Sequence, residues 1–282
     1  MVSRSSASRR RTRSDFFGVD RFIEIKSKEN PRFRSVSALL DRKVARAQGK
    51  VFIEGLRLCE DALISGLVPA FLVLRSDKTP IYSDWMGKYP DIAKAEVVVL
   101  CEALFAKLSK TVNPQGIAMV VDAPESGEDV FRKEGACRYI VLEHLQDPGN
   151  MGTIIRMADA FAYDAVLITE DSVDPYNEKV LRASMGSVFH IPVLPFPDAE
   201  TLFSELKSNG IKSLGAHLRG DPLSGMSFPD RIALWIGNEA NVLSDFTSSQ
   251  CDILVKIEMP GRAESLNAAS AASILGYLLS RN

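Results

Sequence analysis

The sequence predicts an α/β protein in two parts, a small α/β domain followed by a larger one built on a largely parallel sheet. Three observations lead there. Short apolar runs of strand character alternate with segments of helical period along most of the chain, the pattern of strands connected by covering helices. A polar stretch with Gly and Pro at 123–136 (APESGEDVFRKEGA) interrupts that alternation once and reads as a linker. The length of 282 residues, 46% of them hydrophobic and 25% charged, suffices for two ordinary domains with a core each. That mix excludes wholesale disorder, collagen and a disulfide-dense mini-protein. No run of about eighteen apolar residues occurs, so no membrane helix is expected.

Residues 1–28 are expected to form a basic, disordered tail. Within 1–14 there are five arginines, no acid and almost nothing to bury. The tail lacks the apolar core of a secretory signal. It fits a basic arm of a cytoplasmic protein, with an organelle transit peptide as the other reading. Residues 1–50 hold 14 Lys and Arg against 5 Asp and Glu, and the rest of the chain 20 against 31. This polarity suits a partner carrying phosphates at the N-terminal end, or merely a solvated tail. Cys59, Cys101, Cys137 and Cys251 are scattered without a CxxC, which predicts free thiols and no metal site.

From about Asn30 the first domain (29–122) begins. The spacing of Val36, Leu39, Leu40, Val44 and Ala47 predicts one helix over 36–47. Strands are expected at 51–55, 71–74, 96–101 and 116–122, and helices at 56–66 and 104–110. The second domain (137–282) repeats the alternation. Strands are expected at 138–145, 164–169, 191–196, 231–237 and 253–259, and helices at 151–162, 177–187, 201–210 and 266–279. Ligands of such sheets bind in loops at the carboxyl ends of strands, and three loops there carry unusual residues.

The first is LQDPGNMGTIIR (145–156). Asp147-Pro148-Gly149 makes a tight turn, Asn150 is placed to cap the next helix, and Gly152 and Arg156 share one helical face. A cation in the first turns opposes the helix dipole, so Arg156 is either an exposed polar residue or a ligand contact. The second, LWIGNEANVLSD (234–245), brings an apolar strand into Gly237-Asn238-Glu239. Close backbone approach and two polar side chains meet where that strand ends; a capped strand-to-helix turn reads equally well. In the third, IEMPGRAESLNAASAASIL (257–275), a strand ends at Pro260-Gly261 and Ser265-Leu266-Asn267 lead into a helix rich in Ala and Ser, either ligand-binding backbone or an ordinary cap. Neither a Walker A nor a GxGxxG sequence is present. His144 and His190 sit in apolar strand contexts and are expected to be satisfied core residues.

Together, Asn150, Gly152 and Arg156, then Gly237, Asn238 and Glu239, then Pro260, Ser265, Leu266 and Asn267 resemble the SpoU (TrmH-like) family of RNA ribose 2'-O-methyltransferases of the SPOUT superfamily. RASMGSVFHIPV (182–193) is similar to the segment between those motifs. Asn30-Pro31, VFIEGLRL (51–58) and LSKTVNPQGIAMVV (108–121) resemble an L30e-like RNA-binding domain. The likeness covers about 29–282. Departures are Ala240 and Val242 where a Gly-rich turn is usual, Ala162 in place of Gly, and Ala268-Ala269 in place of Val-Ser; the last two exchange small for small.

The resemblance implies a deep C-terminal trefoil knot, a fold otherwise nearly absent from proteins. It also implies S-adenosyl-L-methionine held by backbone groups at Gly237, Ile257 and Leu266, and a homodimer. Arg156 would be the catalytic arginine, with Asn150, Glu239, Ser265 and Asn267 orienting the reacting groups. RNA, ribosomal RNA of the large subunit above all, would be the partner, with Arg32, Arg34, Lys43, Arg46 and Arg57 as candidate phosphate contacts and Phe33 and Phe52 the only nearby aromatics. A transfer RNA substrate, or a non-catalytic RNA-binding or ribosome-assembly factor of the same fold, are the alternatives.

Overall fold

A computed structural model describes residues 22–124, 130–169, 171–223, 226–238 and 243–281. Residues 1–21, most of the expected tail, lie outside these. The chain divides into two compact units between Ala123 and Pro124.

The first unit is a mixed five-stranded sheet. Its strands are β1 (Phe22–Ile25), β2 (Lys50–Glu54), β3 (Pro69–Arg75), β4 (Glu96–Leu100) and β5 (Ile117–Asp122), in the order β1-β4-β3-β5-β2. β4 runs parallel to β1 and β3, while β5 is antiparallel to β2 and β3. β1 falls inside the stretch expected to be tail; it is an edge strand of four residues, too short to signal itself by alternation.

The helix expected over 36–47 is two helices. Asn30 caps α1 (Pro31–Ala38), with Pro31 at its first position. The Asp41 carboxylate then accepts from Lys43 N–H at 2.8 Å and starts α2 (Arg42–Ala47). A strong N-cap residue inside an otherwise helical pattern breaks it. Helices α3 (Leu56–Ile64), α4 (Thr79–Met86) and α5 (Glu102–Leu108) complete the unit. Ile25, Phe33, Val36, Val73, Val98, Phe105 and Val120 pack together against the sheet.

The second unit is a six-stranded sheet, parallel throughout. It comprises β6 (Cys137–Leu142), β7 (Ala165–Thr169), β8 (Val193–Phe196), β9 (Lys212–Pro222), β10 (Arg231–Ile236) and β11 (Ile253–Lys256), in the order β11-β9-β10-β6-β7-β8. Its helices are α6 (Pro148–Ala160), α7 (Glu178–Ser184), α8 (Ala199–Ser208), α9 (Asp245–Gln250) and α10 (Ala268–Ser280). Every residue of β7, and five of the six in β6 and β10, is buried, which is why these strands read as unbroken apolar runs. Trp235 anchors one face, stacked on Phe203 with ring centroids 4.1 Å apart. Residues 130–136, expected as linker, belong to this unit: Phe131 is buried in its core and packs edge-on against Tyr139.

Two close approaches fix this architecture. A Cβ at Gly152 in α6 would lie 2.5 Å from the Ala183 Cβ and 2.8 Å from the Val180 carbonyl oxygen, so α6 and α7 meet there backbone to backbone. β9 pairs with β11 in two blocks, Gly215 opposite Leu254 and then Asp221 opposite Val255. The intervening residues 216–220 bulge out of the ladder, and a Cβ at Gly220 would stand 2.5 Å from the Val255 nitrogen.

Candidate active site

At the carboxyl ends of β10 and β11 lies a cleft of about 250 Å³. Its walls come from four separate stretches. The β9 bulge gives Ala216, His217 and Leu218; β10 and its exit give Ile236, Gly237 and Asn238. The end of β11 gives Ile257 and Met259, and the approach to α10 gives Glu264, Ser265 and Leu266, with Ala268, Ala271 and Leu275 of α10 behind. Gly237, Ile257, Leu266 and Ser265 therefore meet around one space, although up to 29 positions separate them in the sequence.

Gly237 is buried and Ile257 half-buried, whereas Leu266 is 38% exposed and offers an apolar surface to a ligand rather than to the core. The lining is largely apolar side chains with main-chain polar groups at the strand exits and at the start of α10. Such a surface suits a flat, hydrogen-bonding nucleoside better than a polyphosphate, for which the described lining offers Lys256 but no basic cluster. Asn267 lies just outside it. Its side chain accepts from Ser270 N–H at 2.7 Å and caps α10, which fixes where the ligand-facing turn ends.

Asn150 does not cap α6. That role belongs to Asp147, whose carboxylate accepts from Asn150 N–H at 2.7 Å, because Pro148 occupies the first helical position and needs no partner for its nitrogen. Asn150 is half-buried in the first turn. Arg156 projects from α6 on its exposed side and, among the described residues, makes no hydrogen bond or ion pair. It does not line the cleft. α6 itself packs on α10: a Cβ at Gly276 would meet the Met157 sulfur at 2.8 Å, and the Tyr163 hydroxyl donates to the Gly276 carbonyl at 2.9 Å. Glu239 and Val242 lie outside the described residues.

Both strand-context histidines are surface residues. His144 has a left-handed backbone (φ 51°) and faces Asp171 at 3.4 Å, and His190 pairs with Asp159 at 3.0 Å. Each is followed by a buried residue, Leu145 or Ile191, yet its own ring is turned outward to a surface carboxylate. In the first unit Arg32 pairs with Glu96, Arg34 with Glu29, and Arg57 with Asp61 at 3.2 Å. Phe33 is buried in the core, and Phe52 packs against it.

Sequence reasoning missed two residues beside the cleft. Glu143, 2% exposed at the end of β6, accepts from Ser244 N–H at 2.9 Å, Ser244 Oγ at 2.7 Å and Thr247 Oγ1 at 2.5 Å. Its own N–H donates to the Ile236 carbonyl at 2.9 Å, so one residue holds both ends of the segment 237–243. The signal was a single acid closing an apolar strand. His217 had none, because β9 carries neither alternation nor an apolar run.

Fold and site define a class: a parallel-sheet α/β protein with a nucleoside-sized cleft at its strand ends, preceded by a separate mixed-sheet unit. Residues 138–277 match the SpoU rRNA methylase family, and residues 30–119 match an MRM3-like substrate-binding domain. The chain is 35% identical over 258 residues to the 23S rRNA (guanosine(2553)-2'-O)-methyltransferase RlmP of Bacillus subtilis, covering 91% of this chain and 98% of that one. Among solved structures it resembles the SpoU methyltransferase AviRb from Streptomyces viridochromogenes in complex with AdoMet. The TM-score is 0.81 at 26% identity, over 89% of this chain and 97% of that one. An AdoMet-bound rRNA methyltransferase from Sinorhizobium meliloti gives a TM-score of 0.78 at 26% identity, over 93% and 98% of the two chains. The protein belongs to the SpoU family of RNA methyltransferases.

Proposed function

We propose that this protein transfers a methyl group from S-adenosyl-L-methionine to the 2'-hydroxyl of a ribose in RNA, with large-subunit ribosomal RNA as substrate. The observation that carries this is the convergence of Gly237, Ile257 and Leu266 on one apolar, backbone-rich cleft. The substrate class follows the relatives' activities and the substrate-binding match of the first unit.

When bound, the cofactor supplies an electrophilic methyl on a sulfonium; the protein must align a ribose hydroxyl with it and help remove a proton. Backbone groups at Gly237, Ile257 and Leu266 would hold the nucleoside, and the small Ala268 and Ala271 leave room for it. An arginine, with a pKa above about 12, is a poor base. Arg156, which has no partner among the described residues, instead offers its guanidinium fork to the phosphate beside the target ribose, leaving that phosphate to take the proton. Asn150, Glu239, Ser265 and Asn267 would orient this assembly.

Because Arg156 does not line the cleft of its own chain, a partner subunit completing the site is part of the proposal. Ile274, Tyr277 and Leu278 support it: they form an i, i+3, i+4 stripe on α10 that is 41%, 46% and 44% exposed. The close approach of Gly276 to Met157 and the run of small residues in α10 fit the trefoil knot of this reading. Arg32 and Arg57 would contact RNA by exchanging their carboxylate partners for phosphates.

The test is to incubate the purified chain with methyl-labelled S-adenosylmethionine and with ribosomal or transfer RNA. Label in 2'-O-methylated nucleosides of large-subunit RNA is expected. Label confined to transfer RNA corrects the substrate, and no label in either RNA refutes the activity.

A further inference from the structure

We propose that His217 is a contact residue for the methyl donor, presenting its Nε2–H to an acceptor atom of the bound nucleoside while its ring stays uncharged. The inference rests on the cofactor reading above and extends it to a residue outside the three family motifs. Placement comes first. His217 lies in the 216–220 bulge of β9, the part of that strand released from pairing with β11, and it lines the cleft opposite the start of α10. Bulges re-aim side chains without moving the strand that bears them, and this one is pinned beyond it by the tight approach of Gly220 to Val255.

The second observation is a fixed tautomer. Nδ1 of His217 accepts the Arg219 backbone N–H at 3.0 Å. A neutral ring with Nδ1 so engaged carries its proton on Nε2 and has one donor left to give.

Charge is the third. Burial, then Arg219, hold the His217 imidazole below its ordinary pKa, and only Asp245 of α9 opposes them. Among the described residues, Lys256 at the end of β11 and Glu264 ahead of α10 are the other charged groups lining the same cleft. Of the cleft residues from β10 and its exit, Ile236, Gly237 and Asn238, none is charged. A neutral donor matters in this place because the methyl donor is a sulfonium cation, which an imidazolium would repel. The demethylated product has no such charge.

Titration calorimetry of the full chain with S-adenosylmethionine and S-adenosylhomocysteine tests the inference. In His217→Asn the side-chain oxygen can keep the Arg219 contact but lacks the reach of Nε2; His217→Gln keeps a donor near that position; His217→Ala keeps neither. Donor affinity is expected to fall about three- to tenfold in the Asn and Ala variants, the worth of one hydrogen bond, and to be largely retained in Gln. Lowering the pH from about 7.5 to about 5.5 should weaken wild-type binding of S-adenosylmethionine more than of S-adenosylhomocysteine, a difference the Gln variant loses. Wild-type affinity in both Asn and Ala refutes the inference, and so does loss in Ala alone, which would mark His217 as a support for its own turn. A wild type that binds neither nucleoside refutes the cofactor reading as well.

Discussion

Arg156 contrasts with the paired arginines of the first unit. Arg32, Arg34, Arg57 and Arg75 each face a carboxylate, whereas Arg156 sits exposed in α6 with no partner among the described residues. Lysine there retains the charge and loses the planar fork. Arg156→Lys should reduce methyl transfer to RNA about 10- to 100-fold, the range for one charge-assisted hydrogen bond, with the thermal midpoint unmoved. Equal activity in a methylation assay would contradict phosphate gripping. Glu143 is the opposite case, a carboxylate fully enclosed by its donors. Glu143→Gln can keep an oxygen on the Ser244 N–H only by turning its NH2 to the Ser244 and Thr247 hydroxyls, which then lose their acceptor, and should cost about 1–3 kcal/mol, measured by urea unfolding. The two residues also mark what the sequence could tell. Arg156 was legible through the motif it shares with Asn150 and Gly152, not through a clash with the helix dipole: α6 begins at Pro148, so Arg156 is its ninth residue of thirteen, where a cation is unremarkable. Glu143 was not, since its partners Ser244 and Thr247 lie a hundred positions away and only folding brings them to it.

Elements show the same division. Of the buried strands of the second unit, β7 and β10 were readable to within a residue and β6 was carried three residues too far, because complete burial demands continuous apolar side chains but does not mark where the strand stops. β9 and α9 were not expected at all. β9 is half-exposed and interrupted by its bulge, and α9 is six residues, polar but for Phe246, held by the Ser244 cap, so neither displays a period. Ala162 is a subtler case. Its exchange for Gly looks conservative by size, yet it follows the C-terminal end of α6 with φ 55°, while Tyr163 N–H closes back on the Ala158 carbonyl at 2.9 Å. That left-handed position disfavours any Cβ. Ala162→Gly should therefore stabilise the protein by about 1 kcal/mol, seen as a raised urea midpoint at constant slope. An unchanged midpoint would mean that the turn relaxes around the methyl.

Across the whole molecule the four thiols report how well each core excludes water. Cys59 and Cys137 are buried. Cys251 is half-buried, and its thiol is pushed up to about 12 by burial and then by Glu143. Only Cys101 is exposed. A thiol reagent at pH 8 should thus modify one equivalent rapidly in the native state and all four after unfolding. Because a raised pKa keeps Cys251 protonated, its labelling should remain slow until the pH approaches 12 or the Glu143 enclosure opens. Rapid modification of a second equivalent would place the 244–251 segment in solvent.

The pairing of β6 bears on how the protein reaches this state. On one side its partner is β7, the next strand in the chain; on the other it is β10, with Cys137 opposite Arg231 and Leu142 opposite Ile236. The first contact closes a short loop, the second a very long one, and chains that depend on distant pairings fold slowly. Until β10 arrives, the central strand of the sheet presents a bare apolar rim able to recruit another unfinished chain. Refolding yield should then fall with protein concentration more steeply than native stability alone suggests, and burial of Trp235 marks the moment at which that hazard ends.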